Sequence, residues 1–320
     1  MKLSFIYHVN SNWETLEKSI NSIFNQTNKN FELIFVYDDP NNNVVNEVLK
    51  FKFDKIKNFK FISTNQKIGH SWSFNTGLEL ARGDYVYYLG SNVTIHKDFV
   101  KNVLNLIEKN KDCDFIILNN KENKISTKTF NKVGLDLFSV LTPSIKNKIY
   151  NVKFLRKNKI HFELFKYYPL THLLKCVDCM KQVVWYNNPN LVTFADNKKF
   201  SYNLYNIFEQ STYLIENKDN FNFLKNNKDN NNYFEYMIIY SILYSFLYKI
   251  HQSYWKPTSY FSSKIIGKAL HTSNIWLTKY IPNWRDNPVI TNNLFKQTKN
   301  LNKYFKDFKF RLIYIHDFFK

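Results

Sequence analysis

The chain has 320 residues, of which 44% are hydrophobic and 18% aromatic, which provides for a large folded core and excludes an intrinsically disordered chain. Its formal net charge is +19, yet residues 1–120 hold 14 Lys and Arg against 13 Asp and Glu, while residues 121–320 hold 31 against 13. The basic excess belongs to the second part, where lipid head groups, nucleic acid or phosphorylated substrates are the anionic partners to weigh against a merely solvated basic surface. The first ten residues, MKLSFIYHVN, lack a small-residue cleavage site and read as a strand over Leu3–Val9, buried on both faces, not as a signal peptide. Asn12 can cap the helix that follows, in which Trp13, Leu16, Ile20, Ile23 and Phe24 form one apolar stripe. A second strand, Phe31–Val36, ends in Tyr37-Asp38-Asp39-Pro40. Residues 42–52 read as a helix and Phe59–Ser63 as a third strand.

The stretch from Gly69 to Asn92, GHSWSFNTGLELARGDYVYYLGSN, organises the rest. Leu78, Leu80 and Ala81 give a helix its apolar side, and Gly83 stops it. Tyr85–Leu89 is an apolar run of strand length. Gly90, Ser91 and Asn92 then fall at the carboxyl end of that strand, where an open α/β sheet delivers residues to a ligand. Val100, Val103, Leu104 and Ile107 mark another amphipathic helix, and Phe115–Leu118 a further strand. This alternation predicts an α/β fold whose central sheet is mostly parallel, with helices on both faces.

Beyond Lys121 the spacing predicts strands at Ile149–Leu155 and Lys159–Phe165, a helix over Leu170–Val184 and a closing strand at Leu191–Phe194. Tyr202–Leu214, Tyr233–Ile250 and Leu294–Phe308 read as helices, and Asn217–Asn232 as a polar link. The apolar run Tyr236–Tyr248 is 13 residues long, short of the roughly 20 that a membrane span needs. Three cysteines make no disulfide framework, in keeping with a reducing, cytoplasmic setting. Cys176 and Cys179 with His172 lack a second ligand pair for a structural zinc and instead share a helix face.

Gly69, Ser71, Asn75, Gly77, Ala81, Gly83 and Tyr85 stand in the register Gly-x-Ser-x-x-Arg-Asn-x-Gly, then Ala-x-Gly-x-Tyr. Ser19–Ile34, SINSIFNQTNKNFELI, follows the first helix, Asn-Gln-Thr turn and second strand of the same pattern. In these features the chain resembles family 2 glycosyltransferases, which have the GT-A nucleotide-sugar fold. The resemblance implies a GT-A-like domain over residues 1–200, with a nucleotide-binding half at 1–120 and an acceptor half at 121–200. Residues 201–320 would be a helical, basic C-terminal region. It implies transfer of a sugar from a nucleotide-sugar donor, a uridine diphosphate sugar, to a lipid or surface-polysaccharide acceptor.

Asp38 would contact the nucleotide base, since a carboxylate accepts from a uracil-like N–H; the alternative is a plain turn Asp before Pro. Gly69, Ser71, Asn75, Gly90, Ser91 and Asn92 would line the donor pocket, and His8 and Lys67 are candidate phosphate contacts. The chain departs from the family pattern where chemistry is expected. Phe74 replaces the arginine, and Gly90 and Asn92 replace both aspartates of the metal-holding Asp-x-Asp turn. A divalent metal, manganese or magnesium, is therefore doubtful as a cofactor: glycine offers no ligand atom and an Asn carbonyl is a neutral one. No acid stands near Tyr168–Thr171, where an acidic pair is expected; Glu163 and Asp178 are the nearest carboxylates, and the catalytic base is unassigned. Lys67, Arg82 and Lys97 are the nearby cations. Two readings follow: an enzyme whose protein cations replace the metal, or a catalytically silent transferase fold acting as a binding partner or scaffold at the membrane. Residues 296–320 interleave Leu, Phe, Tyr and Ile with seven Lys and Arg, as an interfacial helix on anionic lipid would. That points to peripheral attachment at the inner membrane face. No nucleic-acid motif accompanies the charge.

Overall fold

The computed structural model describes residues 2–9, 13–38, 56–66, 68–90, 93–119, 124–164, 169–194, 205–248, 250, 253 and 260–295. The chain divides into two units, residues 1–132 with 144–197, and residues 133–143 with 198–320. The elements of the first unit are β1 (Leu3–Val9), α1 (Trp13–Phe24), β2 (Phe31–Tyr37), β3 (Phe59–Ser63), α2 (His70–Leu80), β4 (Tyr85–Gly90), β5 (Val93–Ile95), α3 (Phe99–Lys109), β6 (Phe115–Asn119) and β7 (Ser126–Phe130). Helix α4 (Leu135–Val140) belongs to the second unit. The first unit resumes with β8 (Lys148–Asn151), α5 (Val152–Lys157), α6 (Pro169–Cys179), β9 (Val183–Asn187) and β10 (Val192–Phe194).

Eight strands form one sheet in the order β3-β2-β1-β4-β8-β6-β9-β7. β3, β2, β1 and β4 are parallel. β8 runs antiparallel between β4 and β6, β9 is parallel to β6, and β7 closes the edge antiparallel. The sheet is mixed, and the half built from β3, β2, β1 and β4 is the parallel half. β1 and β2 are buried along their whole length, which is why both read as unbroken apolar runs. Leu3, Phe5 and Tyr7 join Leu16, Ile20 and Ile23 of α1 and Val100 and Val103 of α3 in the main core. Ile6 faces the opposite way, toward α2. A Cβ on Gly77 of α2 would lie 2.3 Å from Ile6 Cγ2, so glycine there lets helix and sheet approach closely.

The Asn-Gln-Thr turn after α1 acts as a clamp. Gln26 Nε2 donates to the carbonyls of Ser22 and His96, and its Oε1 accepts from the Val100 N–H at 2.9 Å. Thr27 donates its N–H to the Lys97 carbonyl and its hydroxyl to Asp98. Ser19 of α1 donates to the Val93 carbonyl at 2.5 Å. Together these fix where β4 leaves the sheet and β5 begins.

Several expected boundaries move. The strand expected at Ile149–Leu155 stops at Asn151, whose side chain accepts from the Phe154 N–H at 3.1 Å and starts α5. An N-cap overrides the apolar run that suggested a longer strand. Of the strand expected at Lys159–Phe165, residues 159–164 are described and none is in a strand. The helix expected over Leu170–Val184 ends at Cys179, and Val183 opens β9. β7 had no counterpart in the sequence reading. Asn12, residues 42–52, and the Trp13 side chain lie outside the described residues.

In the second unit, Phe138 of α4 packs on Phe223 and Tyr233, with ring centroids 6.1 and 5.4 Å away. These belong to α8 (Asn222–Asn226) and α9 (Asp229–Tyr240), which follow α7 (Asn206–Glu216). A wider π-helical stretch, Ser241–Tyr248, prolongs α9, so the expected Tyr233–Ile250 helix changes its winding midway. α10 (Tyr260–Tyr280) is tied to α7 by the Trp276 indole, which donates to Thr212 Oγ1 at 3.0 Å. Of the expected helix Leu294–Phe308, the part from residue 296 lies outside the described residues. No described helix is long and apolar enough to cross a membrane.

Candidate functional site

Strand order turns about β1: the chain builds outward through β2 and β3, then returns to place β4 on β1's other side. The crevice beyond the carboxyl ends of β1 and β4 is thus the switch point at which open α/β sheets bind ligands. His8 of β1 and Gly90 of β4 are register partners at this end. The residue at the expected first metal-ligand position therefore neighbours a histidine.

His8 is buried, with 2% of its surface exposed. Its Nδ1 lies 3.0 Å from Ser73 Oγ and 3.7 Å from Asp38 Oδ1. Ser73 Oγ also lies 3.3 Å from the Gly69 carbonyl, to which its hydroxyl can donate. The other Asp38 oxygen accepts from the Gly69 N–H at 2.5 Å. Asp38 thereby joins the end of β2 to the entry of α2. Gly69 has φ of +108°, a conformation that favours glycine. It turns the chain so that its N–H meets the carboxylate and His70 opens the helix. The His70 ring lies against His8, with centroids 4.0 Å apart.

Asp38, Gly69, His8 and Gly90 come together at the switch point. Ser71 is buried in the first turn of α2, and its hydroxyl makes no hydrogen bond. Asn75 is engaged elsewhere: its amide donates to the Phe162 carbonyl at 2.8 Å and accepts from the Phe162 N–H at 2.9 Å. It copies one rung of a β-ladder and holds the loop before α6. Lys67, Ser91 and Asn92 lie outside the described residues. Arg82, with its N–H on Glu32, starts the turn that leads into the amino end of β4, at the opposite edge of the sheet from Gly90.

Phe74, at the expected arginine position, is buried with ring centroids 5.0 Å from Tyr88 and 5.6 Å from Phe162. It adds apolar packing and no charge. Phe162 in turn stacks on His172 at 4.1 Å and 8°. Burial pushes the His172 imidazole down to about 3, so it is neutral, and its Nδ1 lies 3.8 Å from Cys176 Sγ. Burial raises the Cys176 thiol well above its ordinary value. This is the chemistry of a dry core contact, not of a thiolate ligand. Pro169, Leu170 and Thr171, where an acidic pair was expected, are buried at the start of α6. Glu163 pairs with Lys175 at 2.5 Å. Among the described residues, no group of three His, Cys, Asp or Glu side chains is arranged to hold a metal ion. With Gly90 at the ligand position, the described residues do not fit the family's metal.

His70 and Ser73 were missed by the sequence reading. Their signal was a histidine beside Gly69 in the motif and a serine one turn on; only the placement of α2 over β1 connects them to His8.

A parallel half-sheet with a switch point between β1 and β4, a glycine-led helix over it and an acidic end to β2 define a nucleotide-sugar transferase scaffold. Residues 5–166 match the family model described as Glycosyl transferase family 2, and the chain belongs to that family. It is 34% identical over 101 residues to an uncharacterised glycosyltransferase of Methanocaldococcus jannaschii, a match covering 32% of this chain and 35% of the relative. It is 29% identical over 178 residues to the poly(ribitol-phosphate) beta-N-acetylglucosaminyltransferase TarP of Staphylococcus aureus, covering 51% of this chain and 53% of the relative. The chain thus spans from about a third to about half the length of these two curated relatives. In three dimensions it resembles the crystal structure of S. aureus TarS, with a TM-score of 0.60 at 16% identity over 89% of this chain and 54% of that one. It also resembles the mannosyltransferase PcManGT of Pyrobaculum calidifontis, solved with GDP-Man and Mn2+, with a TM-score of 0.52 at 12% identity over 95% of this chain and 88% of that one.

Proposed function

We propose that the chain is a glycosyltransferase that takes a sugar from a uridine diphosphate sugar and passes it to a saccharide-type acceptor, a surface polysaccharide or its lipid-linked precursor. The observation that carries this is the switch-point cluster of His8, Asp38 and Gly69 at the carboxyl ends of β1 and β2, in a chain of family 2. TarS, whose fold this chain resembles, has been solved with UDP-GlcNAc, and TarP is named for transfer of N-acetylglucosamine to a polymer; both support the donor class. In this reading Gly69, Ser71, Gly90, Ser91 and Asn92 surround the donor. Asp38 orients the entry to α2 through the Gly69 N–H. Asn75 fixes Phe162 on the acceptor side. The transferred sugar leaves a nucleoside diphosphate on which negative charge develops, and donors aimed at that charge lower the barrier.

Calorimetry with UDP and UDP-sugars, with and without manganese, tests the reading. Binding without metal is the expected result, followed by transfer to polysaccharide acceptors. No binding under either condition overturns it in favour of the second reading, a silent transferase fold serving as a binding partner. Phe74 and Leu170, apolar where charged groups were expected, support that alternative. Attachment to an anionic membrane surface through residues 296–320 is part of both readings.

A further inference from the structure

We infer that the outer face of α10 is a docking surface for an anionic saccharide polymer. The inference deepens the proposed function by naming the charge class of the acceptor, and for that role it rests on the proposed reading. The surface itself lies wholly within the second unit.

α10 carries Lys264, Lys268 and Lys279 and has no Asp or Glu in its 21 residues. The sequence around it is equally one-sided: residues 236–285 hold six Lys and Arg and no acid. Elsewhere in the same unit lysines stand beside acids, as in Lys218-Asp219 and Lys228-Asp229, which is the mixed pattern of a merely solvated surface. At the helical repeat, positions 264, 268, 271, 275 and 279 fall on one face. All five residues are exposed, while Ile266, Ala269, Ser273 and Leu277 on the opposite face are buried. No described carboxylate pairs with Lys264, Lys268 or Lys279. Lys264 and Lys268 are one turn apart, a like-charge pair that weakens a helix. An anion bound between them removes that repulsion.

Two cations at the end of the row are held in place. Lys279 Nζ lies 4.7 Å over the Tyr280 ring, which stacks in turn on Trp276 with centroids 4.7 Å apart. Just beyond α10, the Arg285 guanidinium lies 4.3 Å over the Trp284 ring and donates to Asn274 Oδ1 of α10 at 2.7 Å. Both are ordered before a ligand arrives, so less rotamer freedom is lost on binding. The neighbouring Asp286 is also exposed, at this far end of the row.

From Lys264 to Lys279 the row is about 22 Å long and one helix wide. A linear chain with repeating negative groups matches a row of this shape. Ile275, 53% exposed at its middle, offers apolar contact to the carbon skeleton between those groups. A bilayer matches less well, because insertion needs an apolar face and that of α10 is turned into its own unit. Residues 296–320, with seven Lys and Arg against two Asp, repeat the charge of the row and do not complement it.

The test is binding of the full chain to polygalacturonate, a carboxylate-bearing saccharide polymer, with neutral dextran as the control. Binding of UDP-N-acetylglucosamine and other UDP-sugars is measured on each protein. Polygalacturonate should bind and dextran should not, with affinity falling as added salt screens the charges. Oligogalacturonates shorter than about 22 Å should bind at least about tenfold more weakly than the polymer. The triple variant Lys264→Gln, Lys268→Gln, Lys279→Gln should lose at least about tenfold in polymer affinity with donor binding unchanged. The triple variant Lys218→Gln, Lys225→Gln, Lys228→Gln removes the same charge from exposed positions of the same unit and should lose less than about threefold. Unchanged thermal unfolding verifies that both variants fold. Equal losses in the two variants would show that net charge alone attracts the polymer and would overturn the inference. Absence of polymer binding by the wild type, with donor binding intact, overturns it and leaves the proposed function standing. An α10 variant that loses attachment to phosphatidylserine vesicles but keeps polymer binding overturns it in favour of a lipid surface. Failure of every UDP-sugar to bind defeats the proposed function, and with it the acceptor role, even where polymer binding maps to α10.

Discussion

Lys148 carries its ammonium into the core beneath the sheet, where it donates to the Ser144 carbonyl at 2.6 Å and to Asn147 Oδ1 at 2.9 Å. Burial pulls it down to about 7. An unfolded lysine titrates near about 10.4, so between these values the unfolded chain binds more protons than the folded one. Stability therefore rises with pH across that window. His172 acts in the same sense lower down, its folded value of about 3 lying below the ordinary imidazole range, so acid destabilises further. Above about 10, where an unfolded tyrosine ionises, the sign reverses: burial pushes the Tyr7, Tyr87 and Tyr88 hydroxyls up, so the folded chain holds the extra protons. Thermal unfolding followed from pH 7 to pH 9, within this window, should show Tm climbing in the wild type. Lys148→Met should flatten that climb; an equal rise in both proteins would mean that another group carries it. Asn75 offers a second case. Asn75→Ala strips both bonds from the Phe162 backbone, and we expect a loss of about 1–3 kcal/mol in denaturant unfolding. The loss should fall on transfer through a raised acceptor KM more than on donor affinity, because Asn75 holds the loop before α6 and not the switch point.

Helix α2 is defined at both ends by residues far away in sequence. Its start is fixed by the Asp38 carboxylate on Gly69, and its end by Arg156 of α5. The Arg156 guanidinium donates to the carbonyls of Leu78, Glu79 and Ala81 at 2.6, 3.1 and 2.9 Å. They lie at the carboxyl end of α2, where carbonyls run out of full intrahelical partners; the Leu78 carbonyl also accepts from the Ala81 N–H at 3.3 Å. Arg156→Met should cost about 1–3 kcal/mol in unfolding free energy. Arg156→Lys should recover only part of it, since a compact ammonium cannot span three carbonyls as a planar fork does; full recovery by Lys would show that charge alone suffices. Such caps explain which elements were legible. β1, β2 and β4 are buried on both faces and announce themselves as apolar runs. β7 is polar and mostly exposed along Ser126–Phe130; only its pairing with β9 makes it a strand. β8 and α5 divide a single apolar run at Asn151, a capping decision visible only once Phe154 is in place. At the switch point, Gly69 and Asp38 stand out in the sequence by motif spacing, whereas their bond to each other and the contact of Asp38 and Ser73 with His8 appear only once α2 is packed on β1.

Charge separates the two parts of the molecule more sharply than composition does. The first 120 residues are nearly neutral, although the folded unit they belong to, residues 1–132 with 144–197, holds 27 Lys and Arg against 17 Asp and Glu. The basic excess lies later, and residues 296–320 alone hold seven Lys and Arg against two Asp, interleaved with aromatic residues. A basic residue near an anionic surface contributes about 1 kcal/mol, and buried aromatic and aliphatic side chains add to it, so a segment of this composition suffices for reversible attachment. The exposed cations of α10, Lys264, Lys268 and Lys279, would contribute long-range attraction, because they stand on a helix whose Ile266, Ala269 and Leu277 are buried. The two contributions respond differently to salt. Flotation with phosphatidylserine-containing vesicles should carry the full chain upward, with partial release at about 0.5 M salt, where exposed charges are screened within a few ångströms. A chain ending at residue 295 should remain at the bottom at all but the lowest salt. Equal flotation by both chains would move the attachment to α10 and its neighbours.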